Sequence, residues 1–371
     1  MDSAGGSAGS TSRDAGAVRA REPGAVRRRE PGAFRRREPG AFRRVVALAG
    51  GIGGARFLRG LLIALDEADR ESGRGNEFAE IAVIGNTGDD ITLFGLRICP
   101  DLDTVMYTLG GGINEEQGWG RAGETFAVKD ELGLYEATPQ WFGLGDRDIA
   151  THILRTGWLA DGVPLSEVTR RLCERWAPGV RLLPMSDDPV ETHVALDDPD
   201  DDERTVHFQE WWVRLHAAVP AKGIVAVGAS AARPAPGVLE AIAAADLIVF
   251  PPSNPVVSIG TILQVPGIRE ALIDAPAPVI GVSPIIGGAP VRGMADACLT
   301  AVGVATTARA VAEHYGSALL DGWLVDDVDA DSLLPPLDGI VVRSRPLLMV
   351  DLDATAAIAH SVLDLAADLR V

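Results

Sequence analysis

Five short stretches of the chain are apolar at nearly every position: residues 45–49, 81–85, 224–228, 247–251 and 278–283. Runs without polar alternation read as strands buried on both faces. Between and beyond them, apolar residues recur at helical spacing over residues 55–68, 236–245, 268–274, 307–315 and 354–369, which predicts amphipathic helices. Strands alternating with helices predict an α/β fold, a Rossmann-like three-layer αβα arrangement around a mainly parallel sheet. The stretch from about 115 to 220 breaks this rhythm. It carries the helical "DRDIATHILRTGWLADGVPLSEVTRRLCERW" and then the polar "LDDPDDDERTVHFQEWWVRL", and it is read as an inserted, largely helical capping subdomain. Its acidic run at 197–203 reads as a solvated loop tip.

Charge divides the chain sharply. Residues 1–44 hold 11 Arg and 5 acidic residues, against a net charge of −18 for the whole, so the remainder carries about −24. An acidic body argues against a nucleic-acid surface, which needs clustered Lys and Arg. Within the basic arm, "REPGAVRRREPGAFRRREPGAFRR" repeats an eight-residue unit three times. A Pro and a Gly in every unit prevent a regular helix, and few apolar residues remain to build a core. The arm is therefore expected to be a disordered extension, or a misassigned start, ahead of a body spanning 45–371. The three cysteines, Cys99, Cys173 and Cys298, are far apart and form no CxxC pair. They read as reduced thiols of a cytoplasmic protein. No apolar run approaches the ~20 residues of a membrane span, so no membrane association is expected.

In open α/β sheets, ligands bind beyond the carboxyl ends of the strands, and here those ends are rich in small and polar residues. After the first strand comes "GGIGGAR". Gly51 and Gly53 match the start of a GxGxxG fingerprint, but Arg56 occupies the third glycine's place, and no GK[ST] follows for a P-loop. What remains is bare backbone at a helix N-terminus, suited to Gly51, Gly53 and Gly54 cradling a phosphate with Arg56 adding a charged contact. After the second strand comes "NTGDD", where Asn86 precedes the adjacent carboxylates Asp89 and Asp90, with Asp101 and Asp103 a few residues on. Such carboxylates suit Mg²⁺ shared with substrate phosphates, or one acts as a general base. Asp101 and Asp103 read equally well as caps of the helix beginning near Thr104. Ser253, Asn254, Ser258 and Gly260 follow the strand at 247–251, and Ser283, Gly287, Gly288 and Arg292 follow the one at 278–283. Both loops offer hydroxyl, amide and guanidinium groups to a phosphate or a base edge. Neither serine sits in a GxSxG elbow, which argues against a serine nucleophile. Glu191, His193 and His207 suggest a metal site less than they suggest structural hydrogen bonds, and Trp211 and Trp212 read as core or pocket wall.

Taken together, "GGIGGARFL", "NTGDD", "LRICPDLDTVMYTLGGG", "GWGRAGETF", "WFGLGDRDIATHI", "HFQEWWVR", "PPSNPVVSIGTIL", "SPIIGGAPVRGMAD" and "LLDGWLV" resemble the transferases that make the deazaflavin coenzyme F-420, called CofD in methanogens and FbiA in actinobacteria. The likeness spans about residues 45–350 and is closest to the actinobacterial branch. It implies a reaction in which a guanosine-diphosphate-linked three-carbon acid gives its phosphorylated acid portion to the ribityl hydroxyl of the deazaflavin Fo, with release of GMP. It further implies Mg²⁺ on Asp89, Asp90 or Asp103, and catalytic roles for Asp89 and Asp90. The donor would lie on the glycine turn and on the loops carrying Ser253, Asn254, Ser258, Ser283, Gly287 and Arg292. Thr104, Met106 and the glycines at 110–112 would border the flat acceptor, and a homodimer is the expected assembly. A non-catalytic nucleotide-sugar-binding regulator of the same fold is the alternative. It would share the glycine turn and the Asp pair, but not "CPDLDT" and "HFQEWW". A dinucleotide-dependent oxidoreductase is disfavoured by the missing third glycine and by the absence of an acidic residue closing the second strand.

Overall fold

The computed structural model describes residues 42–71, 79–333 and 335–369. The repeat arm, apart from its last three residues, lies outside them. The first half of the chain runs β1 (Arg44–Ala49), α1 (Gly51–Glu71), β2 (Glu80–Gly85), the hairpin β3 (Ile91–Leu93) and β4 (Leu96–Ile98), α2 (Pro100–Leu109), α3 (Ala127–Leu134), α4 (Asp146–Ala160) and α5 (Leu165–Trp176). It continues through β5 (Arg181–Pro184), β6 (Glu191–Leu196), β7 (Thr205–His207), β8 (Ala221–Val227), α6 (Val238–Ala244), β9 (Leu247–Phe250), α7 (Ile259–Ile262), α8 (Ile268–Asp274) and β10 (Val279–Val282). A short hairpin, β11 (Ile285–Ile286) and β12 (Ala289–Pro290), then leads to α9 (Ala295–Ala301), α10 (Ala308–Tyr315), β13 (Gly322–Val325), β14 (Val341–Ser344) and α11 (Leu352–Asp368).

Seven strands form the central sheet in the order β14-β13-β10-β9-β1-β2-β5, and every neighbouring pair is parallel. Side-chain alternation along each strand splits the core in two. Val45, Ala47, Leu247 and Val249 pack beneath α1, α2, α5 and α11. Val46, Leu48, Ile248 and Phe250 pack beneath α6, α8, α9 and α10 on the other face. This is the α/β, three-layer arrangement that the unbroken apolar runs predict. Phe42 is buried in the first of these cores, so the packed body takes in residues ahead of the expected boundary at Val45.

Two expectations change. Residues 224–228 do not join the parallel sheet. All but Gly228 lie in β8, which pairs antiparallel with β6, and β6 pairs with β7 to make a separate three-stranded sheet. One face of β8 is exposed, with Val225 and Val227 more than half accessible, so its apolar run reflects β propensity rather than burial on both sides. Conversely, the stretch expected as a cap at 115–220 supplies β5, the edge strand of the main sheet. Among the described residues no helix is long and apolar enough to cross a membrane.

The topology itself places a site. From β1 the chain passes to β2 on one side, while β9 leads to β10 on the other. The order therefore reverses between β1 and β9, and the crevice beyond the carboxyl ends of these strands is where open parallel sheets take their ligands.

Candidate active site

At the β1 exit, Gly50 donates its N–H to Ser253 Oγ at 3.2 Å, and that hydroxyl donates back to Gly50 O at 2.8 Å. Ser253 thus ties the β1 and β9 loops together. Gly51, at φ +65°, begins α1 in the left-handed region that favours glycine. A Cβ at Gly53 would lie 2.4 Å from Pro252 O, and one at Gly54 would lie 2.4 Å from Ser253 Oγ. These two positions are bare because the loop after β9 presses against them. Gly53→Ala must part the two loops, which we expect to cost about 1–3 kcal/mol in a denaturant titration. The same change should lower kcat/KM by something on the order of a hundredfold, through misplacement of the reacting groups.

The polar centre lies between the β1, β2 and α2 ends. Asp101 Oδ1 accepts the Gly51 N–H at 2.7 Å, and Asp101 Oδ2 accepts from Asn86 Nδ2 at 2.8 Å. The same amide reaches Asp89 Oδ1 at 3.4 Å and Val257 O at 3.1 Å. Asn86 Oδ1 accepts from Gly88 N at 2.9 Å, which closes the NTGDD turn. Two buried carboxylates therefore share one amide. A Cβ at Gly50 would lie 2.6 Å from Asp101 Oδ2 and 2.7 Å from Ser258 Oγ, which locates Ser258 against this centre. Burial, reinforced by the charge of Asp101, pushes Asp89 well above the ordinary carboxylate range. Burial also carries Asp101 up to about 6, opposed by its bonds from Asn86 and Gly51.

Asp90 and Asp103, expected beside Asp89, belong to a second cluster. Arg155 Nη1 donates to Asp103 Oδ2 at 3.0 Å and Nη2 to Asp103 Oδ1, all of it buried. Asp101 and Asp103 are two residues apart on α2, about 200° around the helix, and cannot face the same group. Asp90 meets Arg97 at 3.7 Å, and burial carries it up to about 7. Asp103, Asp148 and His152 bring potential ligand atoms within 4.8 Å of one another, but the Arg155 cation already occupies their charge.

These raised carboxylates fix a pH dependence. The folded chain holds protons on Asp101 to about pH 6 and on Asp90 to about pH 7, whereas unfolded aspartates release theirs near ~3.9. Below that pH both states are protonated and nothing is lost. Between about pH 4 and 7 the folded state binds more protons, so stability falls as pH rises. Urea midpoints measured in a chelator should decline across that interval; a rising midpoint would contradict the assignment.

The other expected residues are distributed as follows. Asn254 Oδ1 accepts from Val256 N and Val257 N, at 2.9 and 3.2 Å, and shapes its own loop. Ser283 Oγ bonds Ile285, and Gly287 N donates to Asp329 Oδ2 at 3.0 Å, which seats the β11–β12 hairpin. Arg56 donates to Glu115 O at 3.3 Å and Arg292 to Gln117 O, so both cations grip one turn that lies against Ile52. Thr104 lines a pocket with Tyr107, Trp119, Arg121 and Phe142. Met106, on the opposite side of α2, is packed in the core instead of at that pocket.

His207, for which the sequence favours structural hydrogen bonds over a metal role, makes such bonds. Its Nδ1 accepts the Gln209 N–H at 3.1 Å, and its Nε2 lies 3.2 Å from Asp90 O. Burial holds its imidazole below the usual value. The "HFQEWW" stretch was the available signal, but only the tertiary placement of β7 shows what it touches.

A family model described as "2-phospho-L-lactate transferase CofD" matches residues 45–336. A Streptomyces coelicolor protein named phosphoenolpyruvate transferase is 66% identical over 328 residues, covering 88% of this chain and 99% of the relative. One of the same name from Thermobifida fusca is 65% identical over 327 residues, with 88% and 99% covered. One from Mycobacterium sp. (strain KMS) is 53% identical over 330 residues, with 87% and 98% covered. The crystal structure of a protein from Bacillus halodurans superposes with a TM-score of 0.55 at 18% identity, covering 86% of this chain and 99% of that one. This last likeness shows the fold alone.

Proposed function

The chain belongs to the 2-phospho-L-lactate transferase CofD family and is a transferase, and from that premise we propose that it moves a phosphoenolpyruvyl group from a guanosine-diphosphate-linked donor to the ribityl hydroxyl of Fo, releasing GMP. The observation that carries this reading is the buried Asp89–Asp101 pair sharing the Asn86 amide beside the start of α1. Enolpyruvyl is preferred over lactyl as the transferred acid because relatives 66% and 65% identical are named phosphoenolpyruvate transferase.

The donor set of this pair is all oxygen, buried and mutually repelling, and so fits a hard divalent cation such as Mg²⁺. Asp101 and Asp89 would hold it, and a bound Mg²⁺ supplies neutralisation of the diphosphate charge. The chain does the rest. The N–H groups of the first turn of α1 that Asp101 does not engage face the donor diphosphate. Loops tied by Ser253 keep that cradle rigid. The ribityl oxygen bonds to the phosphorus bearing the three-carbon acid. The bond from that phosphorus to the bridging oxygen breaks, and GMP leaves with that oxygen and its electron pair. The hydroxyl proton passes to a carboxylate oxygen of this pair that the cation does not engage. Tyr107, Trp119 and Phe142, around Thr104, offer aromatic faces to the flat deazaflavin.

Competition among enolpyruvyl, lactyl and glyceryl donors tests the donor assignment. The enolpyruvyl donor should lead in kcat/KM by about tenfold or more, the scale of one altered pocket contact. Preference for the lactyl donor would reverse the assignment.

A further inference from the structure

The turn that carries Asp89 is gripped from outside the parallel sheet. Thr192 N, on β6, donates to Gly88 O at 2.6 Å. His207, paired with His193 across the β6–β7 ladder, approaches Asp90 O at 3.2 Å. A backbone N–H can only donate, so the bond from Gln209 N to His207 Nδ1 leaves the ring proton on Nε2 and aims it at that carbonyl. The Asp90 N–H is turned inward to Thr87 O at 3.2 Å. The carbonyls of the residues on either side of Asp89 are thus both fixed by the small antiparallel sheet. A Cβ at Gly88 would lie 2.7 Å from Thr192 Oγ1, so the grip is close. The part of the chain that departs from the α/β rhythm therefore holds the turn from which the carboxylate pair is built.

We propose that His207 is a positioning residue for Asp89: its Nε2–H, donated to the Asp90 carbonyl, sets the turn so that the Asp89 carboxylate meets Asn86 and Asp101. The inference rests on the functional reading above. Partners that orient a ligating group, without touching what it binds, are worth about 10- to 100-fold in affinity or activity. Asp89 acts on a group already bound elsewhere, so the loss belongs in kcat and in cation affinity, not in donor KM.

The test compares wild type with His207→Phe, which keeps a ring of similar size but has no donor, and His207→Gln, whose amide can supply the donated N–H. Readouts are kcat, donor KM and the Mn²⁺ dissociation constant by titration. His207→Phe is expected to lose about tenfold in kcat and in Mn²⁺ affinity, with donor KM unchanged within about twofold and His207→Gln restored to near wild type. Wild-type kcat in His207→Phe would overturn the proposal. So would a His207→Gln variant as impaired as His207→Phe, which keeps the test sharp even where Phe disturbs packing. A wild-type chain that turns over without binding Mn²⁺ or Mg²⁺ would instead overturn the metal reading, and the kcat comparison would still decide the role of His207.

Discussion

Asp101→Asn is expected to lower kcat by roughly a thousandfold, the scale on which removing a group that stabilises or deprotonates in the transition state is felt. The side chain keeps its volume, and one amide oxygen can still accept from Gly51 N or from Asn86 Nδ2. The carboxylate charge is lost, however, and the new NH₂ must face the other of these two groups, which is itself a donor. Folding should survive, since burial already disfavours the charge that is removed. A denaturation midpoint at or above that of wild type, together with lost turnover, is the expected pair of results. Turnover within about tenfold of wild type would remove Asp101 from the reaction.

The second large effect concerns stability. Arg155 is buried with both oxygens of Asp103 on its guanidinium, and Asp148 and His152 lie close by. Arg155→Met leaves the Asp103 carboxylate buried without its partner, which costs about 3–5 kcal/mol. Urea unfolding should show that loss, and adding Asp103→Asn to Arg155→Met should return most of it, because the uncompensated charge is then gone. A single variant within about 1 kcal/mol of wild type would mean that water or a rearranged side chain satisfies Asp103.

Most of the fold could be read along the chain because four of the five unbroken apolar runs became β1, β2, β9 and β10, at the centre of the parallel sheet. The strands that escaped were β5 and the outer pair β13 and β14. β5 is four residues long and hidden behind a helical stretch. β14 is exposed at its ends and only partly covered between them, so its composition carries little sign of burial. The strand at 224–228 misled for a related reason: Val, Ile and Ala pattern a half-exposed antiparallel strand much as they pattern a buried parallel one.

The site was legible by loop and not by side chain. Three of the four strand ends named in the sequence, those of β1, β2 and β9, are bonded together at the crevice, as Gly50–Ser253 and Asn86–Val257 show. Which aspartates meet was not legible, because "CPDLDT" presents Asp101 and Asp103 as equivalents until α2 begins at Pro100 and sets them on different sides. The same two-residue offset separates Thr104 at its pocket from Met106 in the core. His207 acts across 117 residues of sequence on Asp90, a separation over which no local pattern carries information.

The most direct test of the central claim is the mass of Fo after incubation with Mg²⁺, the enolpyruvyl-linked guanosine diphosphate donor and the full chain. The account predicts an acceptor heavier by one phosphoenolpyruvyl group, with GMP formed in equal amount. Tight binding of GDP with the Fo mass unchanged would contradict it, and would leave a protein that holds a nucleotide without transferring anything from it.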